Sequence, residues 1–325
     1  MDMTKYVIKR ILFMLLTFLI IISICFVLIR LLPNEPPQQF GKDMQLVLQS
    51  RYRQGISDIN GNPIPLAQQY WNFLTKTLLG GDWGVSEKLY FAKNCFDVFL
   101  DKLPNTVLVN AYSSLMAVPL GLMLGIYAAL KKNRWQDHLI STGVMVLVSV
   151  PSYVYAFLIQ YFLCFKMKLF PLVMNAGNDY FSWEMFRSMF PAVLSLSLGS
   201  IAGYARFTRA ELTEVLTSEY LLLARTKGLT RAQTTVRHAL RNAMVPIFPS
   251  IISEVIAVLS GSLIIENIFV VPGVGELYTR SITALDYNFF LLLSGFYTLI
   301  GLTAGIVVDL SYGFIDPRIR MGSKK

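Results

Sequence analysis

The chain has 325 residues, of which 54% are hydrophobic and 15% are charged, and its formal net charge is +9. This composition excludes a soluble globular protein, and several apolar stretches of about 20 residues indicate a membrane protein. Membrane proteins retain basic residues on their cytoplasmic side, so the positive charge does not point to nucleic acid. The cysteines Cys25, Cys95 and Cys164 and the histidines His138 and His238 are too scattered for a disulfide framework or a metal site.

The first apolar run covers about residues 11–32 and follows three basic residues, Lys5, Lys9 and Arg10. It is longer than the roughly 7–15-residue core of a signal peptide, and no small-residue cleavage site follows it. The run therefore predicts an uncleaved first span within an N-terminal unit of residues 1–33.

Residues 34–104 form a polar segment that is predicted to lie outside the membrane. A segment of this length without any secondary structure is uncommon. Between Leu66 and Leu78, apolar residues recur at helical spacing, which predicts an amphipathic helix.

Five further apolar runs make up a core of residues 105–318, followed by a tail of residues 319–325. The predicted spans cover about residues 106–130, 139–165, 190–205, 246–269 and 288–310. Six spans place both termini on one side of the membrane. The tails and short loops of that side carry seventeen Lys and Arg residues, against four in the two short opposite loops, so both termini are predicted to be cytoplasmic.

The polar stretch 206–245 between the fourth and fifth runs predicts two short helices. Ser218 is placed to cap the first helix, and Gly228 to end it, because glycine adopts the left-handed conformation without steric cost. Thr230 and Gln233 have the spacing of a capping box, which predicts the start of the second helix. The second helix carries a basic cluster and a narrow apolar stripe, formed by Arg237, His238 and Arg241 and by Val236, Leu240 and Ala243 respectively.

This stretch resembles the coupling loop of ABC importer permeases. The resemblance rests on Ala224-Arg225-Thr226-Lys227-Gly228 and Arg237-His238-Ala239-Leu240-Arg241-Asn242-Ala243, followed by Pro246. Leu222 and Leu223 stand where the general pattern has Glu-Ala, a departure typical of the subfamily that carries dipeptides, oligopeptides or nickel. The exit of the first span is also similar, although Asn34-Glu35 in Pro33-Asn34-Glu35-Pro36 replaces the usual Gly-Asp. Further similar stretches are Pro65–Tyr70 with Gly80–Ser86, Pro151-Ser152-Tyr153, Glu266–Leu277 and the tail segments Asp309–Tyr312 and Asp316–Arg320.

The resemblance implies an all-α integral membrane protein with six transmembrane helices, the type I ABC importer permease (MetI-like) fold and a cytoplasmic coupling helix hairpin. It also implies a multi-pass subunit of the cell membrane that forms half of a pore for short peptides. The implied partners are a second homologous permease, two cytoplasmic ATPase subunits and an extracytoplasmic substrate-binding protein. ATP and Mg belong to the ATPase subunits, since this sequence has no nucleotide-binding loop, no cofactor motif and no catalytic constellation.

The resemblance assigns the docking of the ATPase to residues of the coupling loop. These residues are Glu219, Tyr220, Ala224, Arg225, Lys227, Gly228, His238 and Arg241. The alternative is a basic juxtamembrane loop that only sets the topology. For the helix within 34–104, the alternatives are packing on the membrane alone and docking of the substrate-delivery protein.

Candidates for the substrate path or gate lie in the third and fifth spans and just after the fifth. They are Pro151, Tyr153, Glu254, Gly261, Ser262, Glu266, Pro272 and Gly273. Glu254 either faces a water-filled path or forms a hydrogen bond to a neighbouring helix, because a charge inside a span is costly. Glu266 either serves an outer gate or caps the turn at Pro272-Gly273. Pro151 and Gly261 with Ser262 also fit a packing kink and close helix contact.

Two other functions remain open at this point. A nickel-importing ABC permease shares the same motifs. An ion-coupled carrier or an intramembrane enzyme would need buried charges in several spans or a catalytic cluster at membrane depth. The mid-span charge is essentially Glu254 alone, which disfavours that class.

Overall fold

The computed structural model describes residues 3–32, 44–175, 177 and 179–315, and the segments Pro33–Pro36 and Asp316–Arg320 named above lie outside them. The described residues form helices and connecting turns without a strand. The helices are α1 (Met3–Leu31), α2 (Met44–Arg53), α3 (Leu66–Leu74), α4 (Cys95–Leu130), α5 (Trp135–Ser149), α6 (Ser152–Ile159), α7 (Trp183–Leu216), α8 (Glu219–Thr226), α9 (Arg231–Thr234), α10 (Arg241–Ala257), α11 (Leu263–Ile268), α12 (Val274–Thr283) and α13 (Tyr287–Ile315).

Five of the described helical stretches are long and apolar enough to cross a membrane. They are Lys5–Leu31, Cys95–Leu130, Trp183–Leu216, Arg231–Ala257 and Tyr287–Ser311. A sixth span is formed if the bent pair Trp135–Ser149 and Ser152–Lys166, which meet at an angle of 100°, counts as one. The break falls at Pro151, as predicted, because proline cannot donate a backbone hydrogen bond to the preceding turn.

The centre of the molecule is the crossing of α4 and α7. A Cβ atom on Gly121 would lie 2.5 Å from Cβ of Tyr204, and one on Gly125 would lie 2.6 Å from the carbonyl oxygen of Ala205. Only glycine allows the two backbones to come this close, which is how membrane helices gain packing energy without a hydrophobic driving force. α7 continues to Leu216, beyond the predicted end of the fourth span near residue 205.

The prediction for the fifth span was wrong at both ends. A π-helical turn, Thr235–Leu240, joins α9 to α10, so one helix runs from Arg231 to Ala257 instead of starting near residue 246. The second helix of the predicted hairpin is therefore the first part of this span. The reason is that Thr230 supplies a strong helix start and no helix breaker follows it for fifteen residues.

At its outer end, α10 stops at Ala257 instead of continuing to residue 269. Residues 258–262 form a turn in which Gly261 has φ of +65°, a conformation that ends a helix. The side chain of Ser262 accepts a hydrogen bond from the amide of Ile265 at 3.3 Å and so begins α11. Together with α12, α11 forms an outer corner, defined as residues 261–276, that returns the chain towards α13.

The segment between α1 and α4, predicted to be extracytoplasmic, packs on the first span. The predicted amphipathic helix is present as α3, extended by a π-helical turn, Thr75–Leu79. Tyr70 and Phe73 of α3 contact Phe26 of α1, with the two phenylalanine rings stacked at 4.9 Å between centroids. This contact fixes α3 against the outer half of α1.

Two buried carboxylates hold the rest of this segment: Asp286 joins it to the start of α13, and Glu87 forms an ion pair within it. Asp286, just before α13, accepts hydrogen bonds from the Ser86 hydroxyl at 2.6 Å and from the amides of Lys88 and Leu89 at 3.0 Å. Glu87 pairs with Arg53 at 2.7 Å, and this hydrogen bond raises the pKa of the Arg53 guanidinium. The segment is therefore held in place against α1 and the start of α13.

Candidate functional site

The coupling hairpin, defined as residues 217–234, follows the cytoplasm-facing end of α7 as assigned from the charge pattern. The backbone of Ser218 occupies the cap position of α8, as predicted, but its hydroxyl donates to the carbonyl of Val215 at 2.6 Å and does not cap the helix. Glu219 lies in the first turn of α8, where the helix dipole favours a negative charge. Gly228 has φ of +90° directly after α8, so the predicted glycine stop is confirmed.

The predicted capping box is also confirmed. The amide of Gln233 donates to the Thr230 hydroxyl at 3.3 Å, and the amide of Thr230 donates to the Gln233 side chain at 3.0 Å. Both bonds satisfy amides that would otherwise lack partners at the start of the helix. The direction in which the chain leaves the hairpin is therefore fixed by residues within the hairpin itself.

A small apolar cluster anchors the hairpin to the spans. Leu221 of α8 packs with Leu212 of α7, Ala129 of α4 and Ala239 and Ala243 of the fifth span, and all five are buried. Of the predicted apolar stripe, Ala243 is buried in this cluster and Leu240 packs against it. Val236 was placed wrongly, because its side chain is 64% exposed.

The opposite face of the hairpin is exposed. Exposed residues at and next to α8 are Glu219, Tyr220, Arg225, Lys227 and Gly228, whereas Ala224 is half-buried. Arg241 is exposed and His238 half-buried on the long helix that follows. Six of the eight predicted coupling residues therefore lie together on α8 and the turn that follows it. The other two, His238 and Arg241, lie on the next helix.

A buried ion pair that the sequence analysis missed links the helix before the hairpin to the broken third span. Arg209 of α7 donates from Nε and Nη2 to the two carboxylate oxygens of Asp137 in α5, with the Nη2 bond at 2.8 Å. Asp137 is 1% exposed and also accepts from the amide of Asn133 and the hydroxyl of Ser141. No direct signal for this pair was present in the sequence, because the third span was predicted to begin at about residue 139, whereas the helix begins at Trp135 and includes Asp137 in its first turn.

Glu254 lies in α10, half-buried between two other spans. Its Oε1 accepts from the hydroxyl of Ser114 in α4 at 3.4 Å and from that of Ser200 in α7 at 3.2 Å. The hydrogen bond to a neighbouring helix that was one alternative is therefore present. A role in the path stays a prediction for Glu254, as it does for Tyr153 and Pro151, which lie exposed at the bend of the third span.

Glu266 lies at the centre of the outer corner and is fully buried. Its Oε2 accepts from the amide of Gly275 at 2.8 Å and from that of Glu276 at 3.3 Å, at the start of α12. These are the bonds expected if Glu266 caps the turn at Pro272-Gly273. The close approach of the carboxylate is possible because Gly261 and Gly273 have no side chains: a Cβ atom on either would overlap a carboxylate oxygen.

The entrance of the second span holds this corner in place. The Thr106 hydroxyl accepts from the amide of Val274 at 2.8 Å, and the Asn105 side chain donates to the carbonyl of Pro272 at 3.1 Å. Asn105 and Thr106 lie at the predicted entry of the second span, and this contact was not predicted from the sequence. Four of the candidate residues, Gly261, Glu266, Pro272 and Gly273, therefore share one interlocked site, and Ser262 caps the helix beside it.

Comparison with known proteins gives concordant results. A family model described as "Binding-protein-dependent transport system inner membrane component" matches residues 121–321. The dipeptide transport system permease protein DppB of Bacillus subtilis (strain 168) is 32% identical over 325 residues, covering 99% of this chain and 100% of the relative. The glutathione transport system permease protein GsiC of Salmonella typhimurium (strain LT2) is 30% identical over 98% of this chain and 99% of the relative.

The oligopeptide transport system permease protein OppB of Escherichia coli (strain K12) is likewise 30% identical, over 98% of this chain and all of the relative. These three relatives align over nearly the full length of both chains, and the family model covers more than half of this chain. The predicted all-α, six-span permease architecture is consistent with both the helices and the family. The chain belongs to the family of inner membrane components of binding-protein-dependent transport systems.

Proposed function

We propose that this chain is one of the two permease subunits of an ABC importer that takes up short peptides. The relatives compared above transport dipeptides, oligopeptides or glutathione according to their names, and all of these are peptides. A peptide is therefore a better-supported substrate than nickel. Within the described residues, no group of three His, Cys, Asp or Glu side chains is placed to hold a metal ion.

The observation that carries this proposal is the coupling hairpin. Its exposed face, with Glu219, Tyr220, Arg225 and Lys227, is available to a cytoplasmic ATPase subunit. Its buried face is anchored through Leu221 to α4, α7 and the fifth span. A push on the exposed face would thus be delivered to three membrane spans at once. ATP and Mg act in the partner subunits, and both termini of this chain lie in the cytoplasm with the hairpin.

Substrate passes, in this proposal, along a path between this chain and the second permease subunit. Glu254 contributes a carboxylate at membrane depth, held by the Ser114 and Ser200 hydroxyls. The α-ammonium group of a peptide would find there a charge of opposite sign in a low-dielectric environment. Alternation between inward and outward openings follows as a rigid-body motion of the packed spans, with the bend at Pro151 beside the path.

The test is reconstitution of the chain with its genomic neighbours in liposomes. ATP hydrolysis and uptake of labelled peptide would be measured with and without the extracytoplasmic binding protein. We expect peptide plus binding protein to raise hydrolysis and peptide to accumulate inside. Stimulation by Ni²⁺ instead of peptide would select the nickel alternative, and uptake driven by a proton gradient without an ATPase would contradict the proposal.

The hairpin assignment is tested by reversing charges on its exposed face. Arg225→Glu combined with Lys227→Glu should lower peptide uptake and stimulated ATP hydrolysis at least tenfold, since docking of the ATPase subunit loses two charged contacts, each of about 1.5–3 kcal/mol. Insertion and thermal stability should stay unchanged because both side chains are exposed. Arg134→Glu, an exposed charge in the neighbouring cytoplasmic loop, is the control. Normal uptake in the double variant would refute the assignment.

A further inference from the structure

A further cavity lies outside the hairpin, the path and the outer corner. It is a groove of about 660 Å³ between the inner halves of α1 and α13. Its walls are Phe13 and Met14 on one side and Leu302 and Ile306 on the other, over a floor at Gly305. A Cβ atom on Gly305 would meet nothing within 4 Å, so the floor is open space and not a helix contact.

Basic side chains line the inner end of the groove. Arg10 pairs with Asp309 at 2.9 Å and donates from Nε to the Tyr6 hydroxyl at 3.1 Å. Arginine has five N–H donors, and these two described bonds use two of them. Lys9 is exposed at the same end, with its Nζ 5.7 Å from the centre of the Phe13 ring. The groove therefore joins a cationic, hydrogen-bonding end to an apolar shaft.

The shape of the groove matches one leaflet of a bilayer. On α1 it extends from Tyr6 to Thr17, which at roughly 1.5 Å per residue is about 16 Å. Half of a typical hydrocarbon core is about 15 Å thick. Above Thr17 the groove closes, because Ile22 is buried against α13 and would lie 3.6 Å from a Cβ atom on Gly295. The length of the groove therefore fits an acyl chain of the inner leaflet.

We propose that this groove binds one anionic phospholipid, with its phosphate at Lys9, Arg10 and Tyr6 and an acyl chain along the shaft over Gly305. The charge complementarity supports an anionic lipid over a zwitterionic one, because Asp309 neutralises only one of the cations. Basic pockets between spans on the cytoplasmic side are suited to such head groups. The site does not depend on the identity of the transported substrate, so failure of the peptide assignment leaves it standing.

The test uses the full-length chain, purified within its complex from nanodiscs of phosphatidylcholine that contain a minor fraction of phosphatidylglycerol. Native mass spectrometry then counts the lipids retained. We expect one tightly held phosphatidylglycerol. Lys9→Gln should weaken its retention roughly fivefold, the effect of one basic residue near a lipid surface. Lys132→Gln, an exposed lysine on the same side, is the matched control and should change nothing.

A second variant tests the apolar shaft independently. Gly305→Leu should fill the groove and abolish retention, while Gly143→Leu, at an exposed glycine with equally open space, should not. A photoreactive side chain at Met14 should label diacyl lipid. Equal retention of phosphatidylcholine, unchanged retention in both test variants, or labelling of a protein chain at Met14 would each overturn the proposal.

Discussion

The coupling hairpin and the outer corner both connect consecutive helices through a glycine turn, but the two turns differ in how they are packed. Each turns one helix into the next through a glycine at positive φ, +90° at Gly228 and +65° at Gly261. A Cβ atom on Gly228 would meet nothing within 4 Å, whereas one on Gly261 would overlap Glu266 and Thr106. The hairpin turn is open to solvent, and the corner turn is filled by side chains from another part of the chain.

This difference separates a surface that a partner can contact from a joint that must keep its shape. The hairpin turn is fixed by the adjacent Thr230 and Gln233, so its shape does not depend on distant parts of the chain. The corner is fixed by Thr106, whose hydroxyl bonds to Val274, 168 residues further along the chain. Motion at the corner would therefore have to carry α4 with it.

Replacing each glycine with alanine should give the largest difference in stability between the corner and the hairpin. Gly261→Ala should destabilise the protein by about 3 kcal/mol, since left-handed strain of about 1–2 kcal/mol adds to overpacking of about 1–3 kcal/mol. Gly228→Ala carries the strain alone and should cost about 1 kcal/mol. Thermal unfolding of the purified variants in detergent measures both. Equal losses of stability would show that the corner is as open as the hairpin.

Removing the buried carboxylate of the corner should have the next largest effect. Glu266→Ala leaves the amides of Gly275 and Glu276 without their acceptor, which should cost about 2 kcal/mol. Glu266→Gln retains a carbonyl acceptor of the same size and should lose less than half as much. Unfolding experiments compare the two variants. If Gln and Ala lose equal stability, the hydrogen bonds do not hold the corner.

Transport measurements on the Glu266→Ala and Glu266→Gln variants test whether Glu266 serves an outer gate. If Glu266 only caps α12, Glu266→Gln should lower uptake no more than it lowers the amount of folded protein. A fall in uptake per folded transporter, with ATP hydrolysis unchanged, would instead support a role in the outer gate.

The smallest effect is expected at the hairpin's own cap. Thr230→Ala removes one side of the capping box, whose loss costs about 1 kcal/mol in other helices. The change should be confined to faster hydrogen exchange in residues 230–235, with the unfolding temperature of the spans preserved. Exchange that also quickens in α4 or α7 would mean that the hairpin is less independent than its local hydrogen bonds indicate.

The sequence by itself determined the features that depend on neighbouring residues. Apolar runs of spanning length, the helix at Leu66–Leu74, the bend at Pro151 and the capping box at Thr230 all follow from local spacing and backbone chemistry. The glycine stop at Gly228 belongs with them, because left-handed φ is a property of one residue. For the same reason, the family could be inferred from contiguous motifs alone.

Only the tertiary structure decided the features that depend on distant residues. The end of the fifth span at Ala257 was mispredicted because hydropathy does not mark where the corner packs against Thr106 and Glu266. Its start at Arg231 was missed although the cause, the capping box at Thr230, is local. Three further features join residues that are far apart in the chain. They are the Asp137–Arg209 ion pair, the hydrogen bond between Thr106 and the corner, and the groove between α1 and α13. Their energies come from burial and geometry, which exist only once the spans have packed.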